Sequence, residues 1–241
     1  MRIVLDNVVK GQRGAALPTT SVRFETGQAV LARAETEQRP TVLGLIASGR
    51  MRPDQGTATI DGGIDYGALR RRVALIDAPA VCDPAPDVTV AGIVAEELMF
   101  AGRPSHPVAV RRTLDGLGLG EYGRWSIGTV PPTARVRLLA ELALLREDVA
   151  GIVITSPDRH GGDPSGWWRI AREIAARGYA VLVIAGDASA AAIGATGIVE
   201  RLTAEETVPA IDDASIDDPD DLPPAAGELD AVATSNEWDQ A

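Results

Sequence analysis

The sequence predicts a mixed α/β fold on three observations. "GIVIT" (151–155) and "AVLVIA" (180–185) are all-apolar, strand-length runs of the kind buried on both faces of a parallel sheet. The helix-patterned "SGWWRIAREIAARG" joins them, giving a strand–helix–strand unit. The first 31 residues read instead as short strands, and "SVRFE" alternates as a half-buried antiparallel strand does.

The elements follow in order. "RIVLDNVV", "TTSVRFET" and, after a Gly27-Gln28 turn, "AVLA" are strands. A polar loop, "ARAETEQRP", leads to the helix "TVLGLIASG", ended by Gly49. "RPDQG" is a turn, "TATIDG" a further strand, and "RRVALIDA" a buried strand. From Asp87 to about Leu145 the pattern is helical, through "TVAGIVAEELMFAG", "PVAVRRTLDGLG" and "TARVRLLAELALLRE". After the strand–helix–strand unit, "AAIGATGIVERLTAEE" reads as a short helix and an edge strand. Residues 204–241 are rich in Asp, Pro and Ala without periodicity and read as a disordered tail.

The chain has 241 residues, of which 45% are hydrophobic, enough for one sizeable core. Aromatics are only 4%, so Val, Ile, Leu and Ala must supply the packing. The single cysteine, Cys82, makes no intrachain disulfide, and no Cys/His cluster has metal-ligand spacing. The start reads as a strand rather than a signal peptide, and no run reaches the ~20 apolar residues of a membrane span, so a cytoplasmic protein is expected. The net charge of −11 is local: 12 acidic residues lie after Ala204 and no Lys or Arg follows Arg201. The body is therefore near neutral, and the asymmetry is the reverse of a nucleic-acid binder's.

Arg52-Pro53-Asp54-Gln55-Gly56-Thr57-Ala58-Thr59-Ile60-Asp61-Gly62 is very like the P-D-x-G stretch after the first core helix of ATP-binding-cassette (ABC) proteins. "DVTV" (87–90) resembles that family's entry to its helical insert, and "ARVRLLAELALL" (134–145) the helix after its signature loop. In this order, over residues 1–203, the chain resembles the ABC nucleotide-binding domain. The resemblance implies a P-loop NTPase-like mixed sheet with an N-terminal antiparallel strand lobe and a helical insert at about 87–145.

On the same alignment the site motifs are missing. A phosphate loop needs glycines whose N–H groups approach the phosphates, a Lys for the terminal phosphates and a hydroxyl for magnesium. The glycine positions fall on Arg33, Thr36 and Gln38, the lysine on Arg39 and the magnesium hydroxyl on Pro40; Thr41 matches a common following threonine. The metal-ligating Asp and catalytic Glu after "GIVIT" fall on Thr155 and Ser156. The signature loop falls on Val130-Pro131-Pro132-Thr133-Ala134, the switch histidine on Gly186 and the following glutamine of "RRVALID" on Ala78. Without a divalent-cation ligand or a water-orienting carboxylate, the terms that lower a phosphoryl-transfer barrier are absent. The expectation is a pseudo-ATPase with no catalytic residue, no metal and no cofactor.

Glu35 and Glu37 lie just before the helix that Pro40 opens, so they are expected to fill the anion site of its N-terminus; the alternative is a plain solvated loop. "SPDRHGGD" groups Ser156, Asp158, His160 and Asp163, but neighbours on one loop read as a turn rather than as a triad. Trp167 and Trp168 are candidate interface residues, or core residues instead. The resemblance implies pairing with a membrane permease or an active ATPase subunit at the inner face of the membrane and allows a dimer, while the charge asymmetry implies no nucleic-acid partner. Two alternatives stand beside this reading. One is a divergent ATPase that binds ATP and magnesium through Arg39 and Thr41; the other is a free-standing scaffold or regulator.

Overall fold

Alternation of apolar and polar residues builds the first layer. The computed structural model describes residues 1–35 and 39–195. In β1 (Arg2–Lys10), Ile3, Leu5 and Val8 are buried while Arg2 and Asp6 face out. It lies between β2 (Leu17–Glu25) and β4 (Gln55–Ile60), both antiparallel to it, with Leu5 opposite Val22 on one side and Ala58 on the other. The register breaks between Leu5 and Val8, where Asn7 takes a φ of 48°. Gly56 packs against that bulge. A Cβ there would lie 2.2 Å from the Asn7 carbonyl oxygen, so only glycine fits.

The second layer is a parallel sheet in the order β3 (Ala29–Arg33), β7 (Ala180–Ala185), β6 (Gly151–Thr155), β5 (Val73–Ile76). Every residue of β5, β6 and β7 is buried, as expected for all-apolar strands covered on both faces. Leu75, Val153, Leu182 and Ile184 point to one side, where α1 (Arg39–Ala47) and the antiparallel sheet cover them. Ile76, Ile152, Ile154, Val181 and Val183 point to the other, against α5 (Pro132–Ala143) and α6 (Pro164–Ala176).

Between β4 and β5 lies α2 (Tyr66–Arg72), so that Arg71 and Arg72, read from the sequence as the start of the "RRVALIDA" strand, end a helix instead; the Asp65 carboxylate caps it by accepting from the Ala68 N–H at 2.8 Å. The run Arg70-Arg71-Arg72 forms its last turn, where positive charge suits the helix C-terminus. Arg70 also donates to the Gly49 carbonyl just past α1, and Arg72 pairs with Asp61 at 3.0 Å.

The helical insert consists of α3 (Val90–Phe100), α4 (Pro107–Gly116) and α5, around a core of its own that includes Val90, Val94, Leu114 and Ile127. α5 belongs to both halves: Val136 and Ala140 face the sheet, while Leu138 and Leu142 face the insert. The last described helix is α7 (Asp187–Ala195). The edge strand and the acidic tail expected beyond it lie outside the described residues.

Trp167 and Trp168 are 1% and 4% exposed, packed in the core beneath α6. They offer no interface. The periodicity of α6 places both on its sheet-facing side, and both indole N–H groups are buried without a hydrogen-bond partner.

Candidate functional site

Parallel strands present their C-terminal ends to one edge of the sheet, and sites in open α/β folds form there. Here that edge carries Arg33 (β3), Ala185 (β7), Thr155 (β6) and Ile76 (β5), with the segments that follow them.

At the end of β6, Thr155 is fully buried, and its hydroxyl has no hydrogen-bond partner. Gly44 of α1 lies directly against it; a Cβ there would be 2.8 Å from the Thr155 Oγ1. Ser156 follows in the left-handed region (φ 47°), and its N–H returns to the Ile184 carbonyl at 2.8 Å. No carboxylate follows β6 directly. The nearest, Asp158, turns away to the neighbouring strand.

At the head of α1, Pro40 is buried, and the Arg39 Nε and Thr41 Oγ1 are buried without partners. Thr36, Glu37 and Gln38 lie outside the described residues. A cavity of about 210 Å³ opens beside this point, lined by Arg33, Glu35, Arg39, Leu43 and Asp187 together with β2 residues.

Glu35 does not serve α1. Its Oε1 accepts from the N–H of Asp187, the first residue of α7. The register explains this: Arg33 pairs with Ala185, and the Ala34 N–H donates to the Ala185 carbonyl, so the chain past β3 runs beside the start of α7. Arg33 lies 3.5 Å from the Asp187 carboxylate. Asp158 reaches the same turn from the other side, accepting from the Gly186 N–H at 2.8 Å and the Ser189 hydroxyl at 3.2 Å. Two carboxylates therefore take up donors at the N-terminus of one helix.

The third cluster was not foreseen from the sequence. Asp77, one residue past β5, is 2% exposed and has a φ of 56°. Its carboxylate accepts from Arg135 Nε at 3.0 Å and Nη2 at 2.7 Å, and from Arg159 Nη2 at 3.0 Å. The His160 Nε2 lies 2.9 Å from Oδ2; because a carboxylate can only accept, that nitrogen carries the proton. Arg159 also donates to the Asp77 backbone carbonyl and pairs with Asp83 at 3.4 Å. Burial opposes charge on Asp77, but the His160 hydrogen bond and the guanidiniums of Arg135 and Arg159 outweigh it and hold the carboxyl well below the usual carboxylate range. A signal was present in the sequence. Arg135 begins the apolar stripe Arg135, Leu138, Leu139, Leu142 of α5, and an arginine in such a stripe needs a buried acid.

The loop residues Ser156, Asp158, His160 and Asp163 thus go to different partners. Asp163 caps α6 by accepting from the Ser165 N–H at 2.9 Å. They form no triad.

No protein-family model matches the sequence, and comparison with curated proteins finds no relative. Solved structures do match. A bacterial ABC transporter cassette solved as a dimer superposes with a TM-score of 0.57 at 18% identity, over 77% of this chain and 88% of its own. The fold is that of an ABC transporter ATP-binding subunit. A second structure, described as the ATP-binding subunit of an ABC transporter, gives a TM-score of 0.55 at 17% identity over 79% and 82% of the two chains. A nucleotide-free ATP-binding cassette gives 0.56 at 17% over 78% and 82%. At such identities the likeness lies in the fold.

Within this cassette fold, the helical insert carries a second, larger cavity of about 780 Å³. Ala91 and Ala95 of α3, Val110, Arg111 and Leu114 of α4, and Trp125 line it. Met99 continues the α3 face of Ala91 and Ala95 at helical spacing and is exposed, as is the neighbouring Phe100. Among the described residues no group of His, Cys, Asp or Glu side chains is arranged to hold a metal ion, and no helix is long and apolar enough to cross a membrane.

Proposed function

We propose that this chain is a non-catalytic cassette subunit, cytoplasmic and peripheral at the membrane, which partners a membrane permease or an active ATPase subunit. One observation carries the reading. At the edge where a magnesium triphosphate would sit, Glu35 and Asp158 are committed to backbone N–H groups at the start of α7, Asp77 to Arg135, Arg159 and His160, and Asp187 faces Arg33. The end of β6 offers only the buried Thr155 hydroxyl, sealed beneath Gly44. Among the described residues this donor set does not fit a hydrated divalent cation, which asks for carboxylate or water oxygens in an open site. The cavity at the head of α1, about 210 Å³, is below the roughly 300–1,000 Å³ usual for ligand pockets.

The partner's place is the α3–α4 groove of the insert. An apolar cavity flanked by exposed Met99, Phe100 and Trp125 suits a helix-in-groove contact, with Arg111 and Arg124 at its rim. By resemblance the occupant is a cytoplasmic helix of a permease.

Calorimetric titration with Mg-ATP, together with an ATPase assay, tests the reading. No saturable heat at micromolar nucleotide and no turnover are expected. Micromolar binding, or turnover abolished by Arg39→Ala, overturns it. Solubilised membranes should yield a multi-span protein with the wild type and lose it with Ala95→Arg.

A second reading, a divergent ATPase, draws on a different observation: the Arg39 Nε and Thr41 Oγ1 are buried without partners at the head of α1, where a phosphate would meet them. The same titration decides between the two.

A further inference from the structure

The helical insert has its own hydrophobic core and leaves the sheet at one point, the end of β5. It returns through α5. An insert joined in this way could pivot about those two places. Asp77 is the first residue after β5, in a left-handed conformation, and so occupies the exit pivot. Arg135 is in the first turn of α5 and so occupies the return. Their side chains meet in a bidentate pair in which both are at least 97% buried. From the core side, the 3-10 turn Pro157–His160 that follows β6 contributes two more groups to the same carboxylate, Arg159 and His160. Arg159 also holds the Asp77 backbone carbonyl, so the pivot's main chain is fixed as well as its side chain. Arg135 completes the tie by donating to the Ile127 carbonyl inside the insert at 3.3 Å.

We infer that the Asp77–Arg135–Arg159–His160 cluster is a permanent lock that holds the helical insert in one orientation on the strand core. Apolar residues could supply equal stability at such a joint, because burying charges carries a large desolvation cost. Directional geometry is what they would not supply. Four donors on two elements converge on one carboxylate, and any rotation of the insert would strand charge in a dry site. The groups facing Asp77 are Arg135 from α5 and Arg159 and His160 from the turn after β6, with Asp83 behind Arg159. None of these contacts involves the α1 or α7 ends of the strand edge. The turn that supplies Arg159 and His160 also carries Asp158, which accepts from the Gly186 N–H and the Ser189 hydroxyl, so the lock shares one turn with the α7 end and none with α1. The inference is independent of the proposed function.

The test is a spin-label distance measurement on the full chain. With Cys82 replaced by Ser, labels are placed at Thr19→Cys on β2 and Arg112→Cys on α4, both exposed positions outside the cluster. A single narrow distance distribution is expected, unchanged by Mg-ATP. In Asp77→Asn/Arg135→Met, which removes both buried charges and keeps a residue tolerant of positive φ, the distribution should be about two-fold broader or split. Arg159→Gln/His160→Gln, which touches only the partly exposed members, provides a second variant with intermediate broadening. Two populations in the parent protein, a shift on adding nucleotide, or parental width in both variants overturns the lock. ATP turnover at an unchanged distance would sink the proposed function and leave the lock standing.

Discussion

Arg135 in the helical insert donates two hydrogen bonds, at 3.0 and 2.7 Å, to the carboxylate of Asp77 at the end of a core strand. Both residues are buried, so removing Asp77 leaves the Arg135 guanidinium without its carboxylate in a dry environment. Asp77→Ala should cost about 3–5 kcal/mol of unfolding free energy, read by urea denaturation. Asp77→Asn retains hydrogen-bonding groups and tolerates the positive φ, so it should cost less. Equal losses in the two variants would mean that the lost charge alone sets the cost at this joint, and that the volume and hydrogen-bonding groups kept by Asn contribute nothing.

The same carboxylate gives a sign for the pH dependence. In the unfolded chain an Asp titrates at about 3.9, whereas in the fold Asp77 is held well below that. Below about pH 5 the unfolded state therefore takes up protons that the native state refuses, and stability falls as pH falls. The Asp77 contribution is fully present at pH 7 and is lost progressively toward its depressed native value. Unfolding free energies measured from pH 7 to pH 3 should decline on the acid side, and the decline should be shallower in Asp77→Asn.

The layered frame was legible because its signals are dense. All-apolar strands, alternating strands and a helix of the right length specify two sheets and the cover on each face. The charged cluster was not, because Asp77 and Arg135 are 58 positions apart in sequence and meet only through packing. Glu35 was assigned to the nearer helix in sequence. The parallel pairing of β3 with β7 brings the start of α7 beside it instead. Trp167 and Trp168 suited either an interface or the core by type, and the phase of α6 buries both. The run Arg70-Arg71-Arg72 hid α2, since the helix is only seven residues long and its cap, Asp65, has no apolar stripe behind it.

Thr155 and Gly44 form a second close pair whose chemistry can be checked. The Thr155 hydroxyl is buried without a partner, so Thr155→Val, which replaces it with a methyl group of similar shape, should be neutral or stabilising by up to about 1 kcal/mol. Gly44→Ala should do the opposite. Its Cβ would lie 2.8 Å from that hydroxyl and 3.0 Å from Leu75 Cδ1, and overpacking of this kind costs about 1–3 kcal/mol. Thr155→Ala should rescue most of the Gly44→Ala loss, and thermal unfolding of the single and double variants completes the cycle. A strongly destabilising Thr155→Val would mean that the hydroxyl has a polar partner after all.

Glu35 and Asp158 reach the start of α7 from opposite sides, each accepting a backbone N–H that no residue of the helix can satisfy. Asp158 is the stronger anchor, because it accepts from the Gly186 N–H and the Ser189 hydroxyl together. Asp158→Ala should cost about 1 kcal/mol, the usual loss on deleting an N-terminal cap. Glu35→Gln keeps an acceptor oxygen and removes the charge, so only the interaction with the helix dipole is lost, about 0.3–1 kcal/mol and less in high salt. Hydrogen exchange at the first turn of α7 is the direct readout. It should speed up more for Asp158→Ala than for Glu35→Gln, while β6 and β7 exchange as before. Protection unchanged in both variants would show that packing of the helix against α6 and β3, rather than the two carboxylates, fixes its start.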